Sequence, residues 1–86
     1  VINGRYELFT TTDTALASYL ITQGFIPDKI DYTQPRYEYS FNSDSDIRIH
    51  ASDYITGQAR VDPATYNRIN RKLNRIVKKG IQWEDD

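Results

Sequence analysis

The stretch DPATYNRINRKLNRIVKKG, residues 62–80, carries its own start and stop signals. Asp62 is an N-cap residue, suited to the free backbone N–H groups of a first helical turn, and Pro63 follows at the first helical position, where a missing N–H is harmless. Gly80 closes the run. Between them Tyr66, Ile69, Leu73, Ile76 and Val77 fall within one arc of a helical wheel, so a helix over Ala64–Lys79 has an apolar stripe that needs a core. Arg68, Arg71, Lys72, Arg75, Lys78 and Lys79 fall opposite, and Asn67, Asn70 and Asn74 fill the space between.

Toward the N-terminus the period changes. Tyr37, Tyr39 and Phe41 alternate with Arg36, Glu38 and Ser40, the period of two that marks a strand with one buried side. Lys29-Ile30-Asp31-Tyr32 supplies the other arm of a hairpin, with the turn around Thr33-Gln34-Pro35, since proline belongs in a turn or at a strand's first position. Arg5–Thr10, preceded by Asn3-Gly4, reads as a first strand. Thr10-Thr11-Thr12-Asp13 then offers N-caps for a helix with Leu16, Tyr19 and Leu20 on one side, ended by Gly24.

Residues 43–57 fit two periods. Ile47, Ala51, Tyr54 and Ile55 have helical spacing behind Ser43, Asp44 and Ser45, whereas Ile47, Ile49 and Ala51 also alternate like a strand. The caps and Gly57 favour the helix. The expected fold is a small α+β domain in the order β-α-β-β-α-α, a three-stranded antiparallel or mixed sheet with helices on one face.

Eighty-six residues, 38% of them hydrophobic, suffice for one core, so residues 1–86 are expected to form a single domain. Residues 1–4 carry no weight in this reading, and 81–86 form an acidic tail. The absence of cysteine excludes a disulfide framework and thiolate metal sites. No apolar run approaches the roughly 18 residues of a membrane span, and Val1–Gly4 lacks the features of a secretory signal. No membrane partner is expected, and the expected location is the cytoplasm. The net charge of −1 hides a segregation along the chain. Residues 1–62 carry five basic and nine acidic side chains, 63–80 six basic and none acidic, and 81–86 three acidic.

At Phe9-Thr-Thr-Thr-Asp13, Leu16-Ala17-x-Tyr19-Leu20 with Gly24, Tyr54-x-x-Gly57, and Val61-Asp62-Pro63 before a basic-apolar helix, the chain resembles a small domain family of unknown function found in prokaryotic and phage genomes. The shared residues are caps, core positions and helix stops. The resemblance therefore implies a fold, helical residues 43–57, and a phage or mobile-element origin with the host cytoplasm as location; it implies no activity. The longer hairpin loop and the charged tail depart from the family pattern.

Candidate chemistry is sparse. Asn42-x-Asp44-x-Asp46 with Asp53 has the spacing of a calcium loop, but the required glycine is replaced by Ile47 and the bidentate glutamate by the shorter Asp53. Acidic capping of a helix N-terminus accounts for these residues better, so no metal is expected. His50 is the sole histidine, and neighbouring Ser52 and Asp53 point to other sides of a helix or strand, so they make no triad with it. Four scattered glycines make no phosphate loop. No cofactor and no catalytic residues are expected, and the chain is read as a non-enzyme. Tyr37, Tyr39 and Phe41 lack the Lys/Arg-Gly-aromatic context of an RNA-stacking strand and are expected in the core.

What remains is the basic helix. Arg68, Arg71, Lys72, Arg75, Lys78 and Lys79 suit phosphates, and the flanking asparagines suit base edges. The expectation is a small binding module that contacts nucleic acid through this helix. The alternative is a protein-binding accessory or inhibitor that engages an acidic protein surface of a host or phage protein. A plain solvated face would also carry such charges, and the tail 81–86, whose terminal acids read as solvated, is also able to fold over the patch and compete with phosphate. Trp83 is positioned to fold back onto the domain.

Overall fold

The computed structural model of the chain describes residues 8–33, 35–42 and 45–86. Along them run β1 (Leu8–Thr11), α1 (Thr14–Thr22), β2 (Lys29–Asp31), β3 (Glu38–Asn42), α2 (Ser45–Ile55), α3 (Pro63–Lys79) and a final 3-10 turn over Trp83–Asp85. This is the α+β class and the β-α-β-β-α-α order that the sequence predicts, with the extra turn in the acidic tail. Several expectations lie outside the described residues: residues 1–4, the Arg5–Glu7 part of the first strand, Gln34 in the hairpin turn, and the Ser43 and Asp44 caps.

The sheet has the order β1-β3-β2 and is antiparallel throughout. Phe9 pairs with Phe41 and Ile30 with Tyr39. Cross-strand partners share a face, so these four side chains turn together toward the helices and join one apolar cluster. Leu8, Thr10, Lys29 and Asn42 stay exposed on the opposite face. The hairpin arms are shorter than expected, because pairing ends at Asp31 and Glu38. Asp31 bends the chain there: its Oδ1 accepts from the Thr33 hydroxyl at 2.6 Å and from the Thr33 N–H at 2.8 Å. The Thr33 bonds, the hydroxyl's first, hold the Asp31 carboxyl below its ordinary range.

Helix α1 is the centre of the helical layer and packs against both α2 and α3. Leu16 through Ile21 are all buried. Leu20, Ile30, Tyr39, Phe41, Ile47, Leu73 and Ile76 are at most 1% exposed, and such side chains each contribute about 1.5–3 kcal/mol on burial. Tyr39 and Phe41 are therefore core residues and offer no face to a base. Tyr39 also ties sheet to helix, its hydroxyl lying 2.8 Å from Thr14 Oγ1.

Residues 45–55 are helical, which settles the two-period stretch. Ile47 and Ala51 are buried and Tyr54 half-buried, as helical spacing requires. Ile55 is a correction: it is 74% exposed, because it lies about 100° round the wheel from Tyr54, past the edge of the buried arc. Gly24, Gly57 and Gly80 all stand at positive φ just beyond α1, α2 and α3. Among the described residues no helix is long and apolar enough to cross a membrane.

Candidate functional site

Helix α3 starts on Asp62, whose Oδ2 accepts from the Thr65 N–H and hydroxyl, both at 2.9 Å. Those bonds, the backbone one first, keep the Asp62 carboxyl below its usual range. Leu73 and Ile76 are buried and Tyr66, Ile69 and Val77 half-buried against the core, so the basic arc points outward. Arg68, Arg71, Arg75, Lys78 and Lys79 are exposed and Lys72 is half-buried.

The chain then doubles back. Gly80 adopts φ +70°, a left-handed conformation that a Cβ resists, and the Ile81 N–H returns to the Ile76 carbonyl at 3.3 Å. The segment that follows is held at successive points. The Tyr32 hydroxyl donates to the Ile81 carbonyl at 2.7 Å, and the Gln82 side-chain amide pairs with the backbone of Ile30. Trp83 packs on the edge of the core with the Lys72 ammonium 3.9 Å from its ring centroid, a cation–π contact.

The three tail acids have separate fates, which corrects the expectation that all are solvated. Glu84 is exposed. Asp85 accepts from the Gln82 N–H at 3.1 Å. Asp86 is gripped by Arg75, with Nε 3.2 Å from Oδ1 and Nη2 2.6 Å from Oδ2, while the Lys79 ammonium stands 4.0 Å from Oδ1. Only 12% of the Asp86 side chain is exposed, against 49% for Arg75. The Arg75 fork is the main reason that the Asp86 carboxyl is held below its ordinary range.

Between the helix and this folded-back segment lies an open groove of about 630 Å³, lined by Ala64, Arg68, Arg71, Lys72, Arg75 and Asp86. Four of the six cations singled out in the sequence are thus brought to one groove. Lys79 reaches its end through Asp86, and Lys78 lies outside the lining. Among the described residues no carboxylate comes within ion-pair distance of Arg68, Arg71 or Lys78. Arg36 is elsewhere, beside Thr12 and Pro35 on the hairpin loop.

The asparagine flank is less available than the sequence implies. Asn70 Nδ2 donates to Ser18 Oγ at 3.0 Å, bridging α3 to the fully buried Ser18 of α1, and Asn74 Nδ2 donates to Asn70 Oδ1 at 3.1 Å. Asn67 and Asn74 remain exposed. The groove lining is thus four cations, one carboxylate and Ala64, with no asparagine among them. Two groove residues had no pointer at their own positions. Ala64 is a gap between longer side chains, and Asp86 reaches Arg75 because Gly80 reverses the chain; the sequence signal was the run of acids directly after the basic helix.

The other candidates are placed as follows. His50 is half-buried, 5.5 Å from the Phe25 ring and 6.3 Å from the Tyr19 ring, with a buried Nδ1 that has no hydrogen-bond partner among the described residues. Asp46 and Asp53 ride on α2 rather than curling round a loop, and Asp44 is outside the described residues. Among the described residues no group of three His, Cys, Asp or Glu side chains is placed to hold a metal ion.

Comparison with known proteins agrees with the motif of caps and helix stops. Searches of curated proteins and of solved structures returned no match. A family model does match, over residues 6–79, from just before β1 to the last residue of α3, so that Trp83 and Asp86 lie beyond it. The chain belongs to the family described as domain of unknown function DUF5659.

Proposed function

We propose that this domain is a non-enzymatic binding module that contacts the phosphate backbone of nucleic acid through the groove along α3. The observation that carries this reading is the pair Arg68 and Arg71: two exposed guanidinium groups one helical turn apart, lining a groove, with no carboxylate among the described residues within ion-pair distance of either. Guanidinium groups suit phosphate because their planar fork meets two oxygens at once. With Asn70 and Asn74 engaged within the protein, the contact is backbone-directed and tolerant of sequence. In the setting that the family resemblance implies, it serves a phage or mobile element inside a host cytoplasm.

The test is fluorescence anisotropy with labelled single-stranded and duplex oligonucleotides at low and moderate salt. Replacing Arg68 and Arg71 together by Ala weakens binding to every sequence and flattens the log–log salt dependence by about 1.5, two phosphate contacts at roughly 0.7–0.9 each. Arg36→Ala changes little. Equal loss from Arg36→Ala overturns a localised interface. No binding by the wild type at low salt overturns the reading altogether, and leaves α3 to an acidic protein surface.

A further inference from the structure

We propose that Arg75 and Lys79 form a phosphate subsite at the end of the groove, held in the free protein by the Asp86 carboxylate, and that a nucleic-acid backbone enters by displacing Asp86. This rests on the reading of α3 as a nucleic-acid surface. A carboxylate offers a guanidinium the same two-oxygen edge that a phosphate does. Arg75 already uses both Nε and Nη2 on Asp86, at 3.2 and 2.6 Å, and the Lys79 ammonium approaches Oδ1 from one turn further along. The carboxylate lies in the lining of the same groove as Arg68, Arg71 and Lys72. A phosphate in its place extends one row of cations along successive turns of α3, about 5.4 Å apart.

The contact is built to yield. The Asp86 side chain is 12% exposed, but its cations face water, Arg75 keeping 49% of its side-chain exposure and Lys79 56%, and ion pairs open to solvent on one side contribute little net stability. The parts of the tail that hold it to the domain are others: Gln82 on Ile30, the Ile81 carbonyl on Tyr32, and Trp83 under Lys72. Asp86 can therefore swing out while residues 81–83 stay docked. Several phosphates acting together outbid one carboxylate, whereas a single stray anion does not.

The experiment is the same anisotropy titration on the wild type, Asp86→Ala, Glu84→Ala, Arg75→Ala, the Arg75→Ala/Asp86→Ala pair and the Arg68→Ala/Arg71→Ala pair. Asp86→Ala is expected to bind roughly two- to five-fold tighter, the range set by one ion pair whose cation faces water. Glu84→Ala removes the same charge from an exposed position and is expected to gain much less. The gain vanishes on the Arg75→Ala background. In carboxyl NMR the Asp86 titration moves up on saturation with oligonucleotide, once the Arg75 fork is taken from it.

If Arg68→Ala/Arg71→Ala weakens binding but Asp86→Ala leaves it unchanged, the subsite is overturned and the interface stands. Equal gains from Asp86→Ala and Glu84→Ala also overturn the subsite, since net charge then explains both. If neither the wild type nor Asp86→Ala binds at low salt, the interface itself falls and the subsite with it.

Discussion

The side-chain amide of Gln82 takes the place of a neighbouring strand beside Ile30: its Oε1 accepts from the Ile30 N–H at 2.7 Å and its Nε2 donates to the Ile30 carbonyl at 2.9 Å. β2 is an edge strand, and an uncovered edge leaves such groups without partners and open to another chain. Gln82→Ala strands both polar groups of a residue that is 1% exposed, so urea denaturation should show a loss of about 1–3 kcal/mol. Gln82→Glu keeps an acceptor for the N–H but sets a carboxylate oxygen against the Ile30 carbonyl. It should be at least as destabilising at neutral pH and recover as the new carboxyl is protonated. An unchanged urea midpoint for Gln82→Ala would mean that water serves the edge equally well.

A second cross-link joins the helices. Ser18 is fully buried, its hydroxyl donates to the Thr14 carbonyl at 2.8 Å, and it receives the Asn70 amide at 3.0 Å. Asn70→Ala and Ser18→Ala should each cost about 1 kcal/mol, with a coupling in the double-mutant cycle of roughly 0.5–1.5 kcal/mol. Oligonucleotide affinity of Asn70→Ala should match the wild type. A fall in affinity with no change in stability would make Asn70 an interface residue instead.

These two cross-links show where sequence reading ran out. α3 was legible because Asp62, Pro63, Gly80 and an unbroken 3.6-residue period all state the same thing. The face of β3 was legible from three aromatics in strict alternation. Residues 43–57 carry few apolar side chains, which satisfy both periods, so the local signals that decided them were the caps at 43–45 and the glycine at 57. The six cations were visible as composition along one arc. Their sorting into paired and unpaired was not, because it depends on where the tail lands after Gly80. Gln82 lies 52 positions from Ile30, and no local pattern distinguishes an edge-covering glutamine from a solvated one.

The contrast between Leu73 and Ile55 tests the corrected core. Both are large aliphatics on helical faces, yet Leu73 is 0% and Ile55 74% exposed. Leu73→Ala should cost about 2–5 kcal/mol through lost burial and the cavity left behind. Ile55→Ala should stay within about 0.5 kcal/mol, the usual range for surface changes. Chemical denaturation of the two variants side by side decides it, and a comparable loss from Ile55→Ala would restore that residue to the buried arc.

Alkaline pH should expose the role of Tyr39. Burial pushes its phenol up to about 12, against the opposing effect of the Thr14 hydrogen bond, while an unfolded tyrosine ionises near 10.0. The unfolded chain therefore releases this proton first as pH rises. The stability that comes from holding Tyr39 neutral is whole below pH 10 and is lost progressively as pH climbs toward about 12. The full loss is on the order of 2–3 kcal/mol, two units at roughly 1.4 kcal/mol each. Burial also raises the phenols of Tyr32, Tyr54 and Tyr66, so the wild type alone cannot assign the effect. Tyr39→Phe isolates it, since those three remain. That variant should be weaker by about 1 kcal/mol at pH 8, where it lacks the Thr14 bond, and should lose less of its stability between pH 9 and 11 than the wild type. Parallel losses over that interval would mean that the Tyr39 hydroxyl reaches solvent before the domain unfolds, and that the joint between β3 and the start of α1 opens locally.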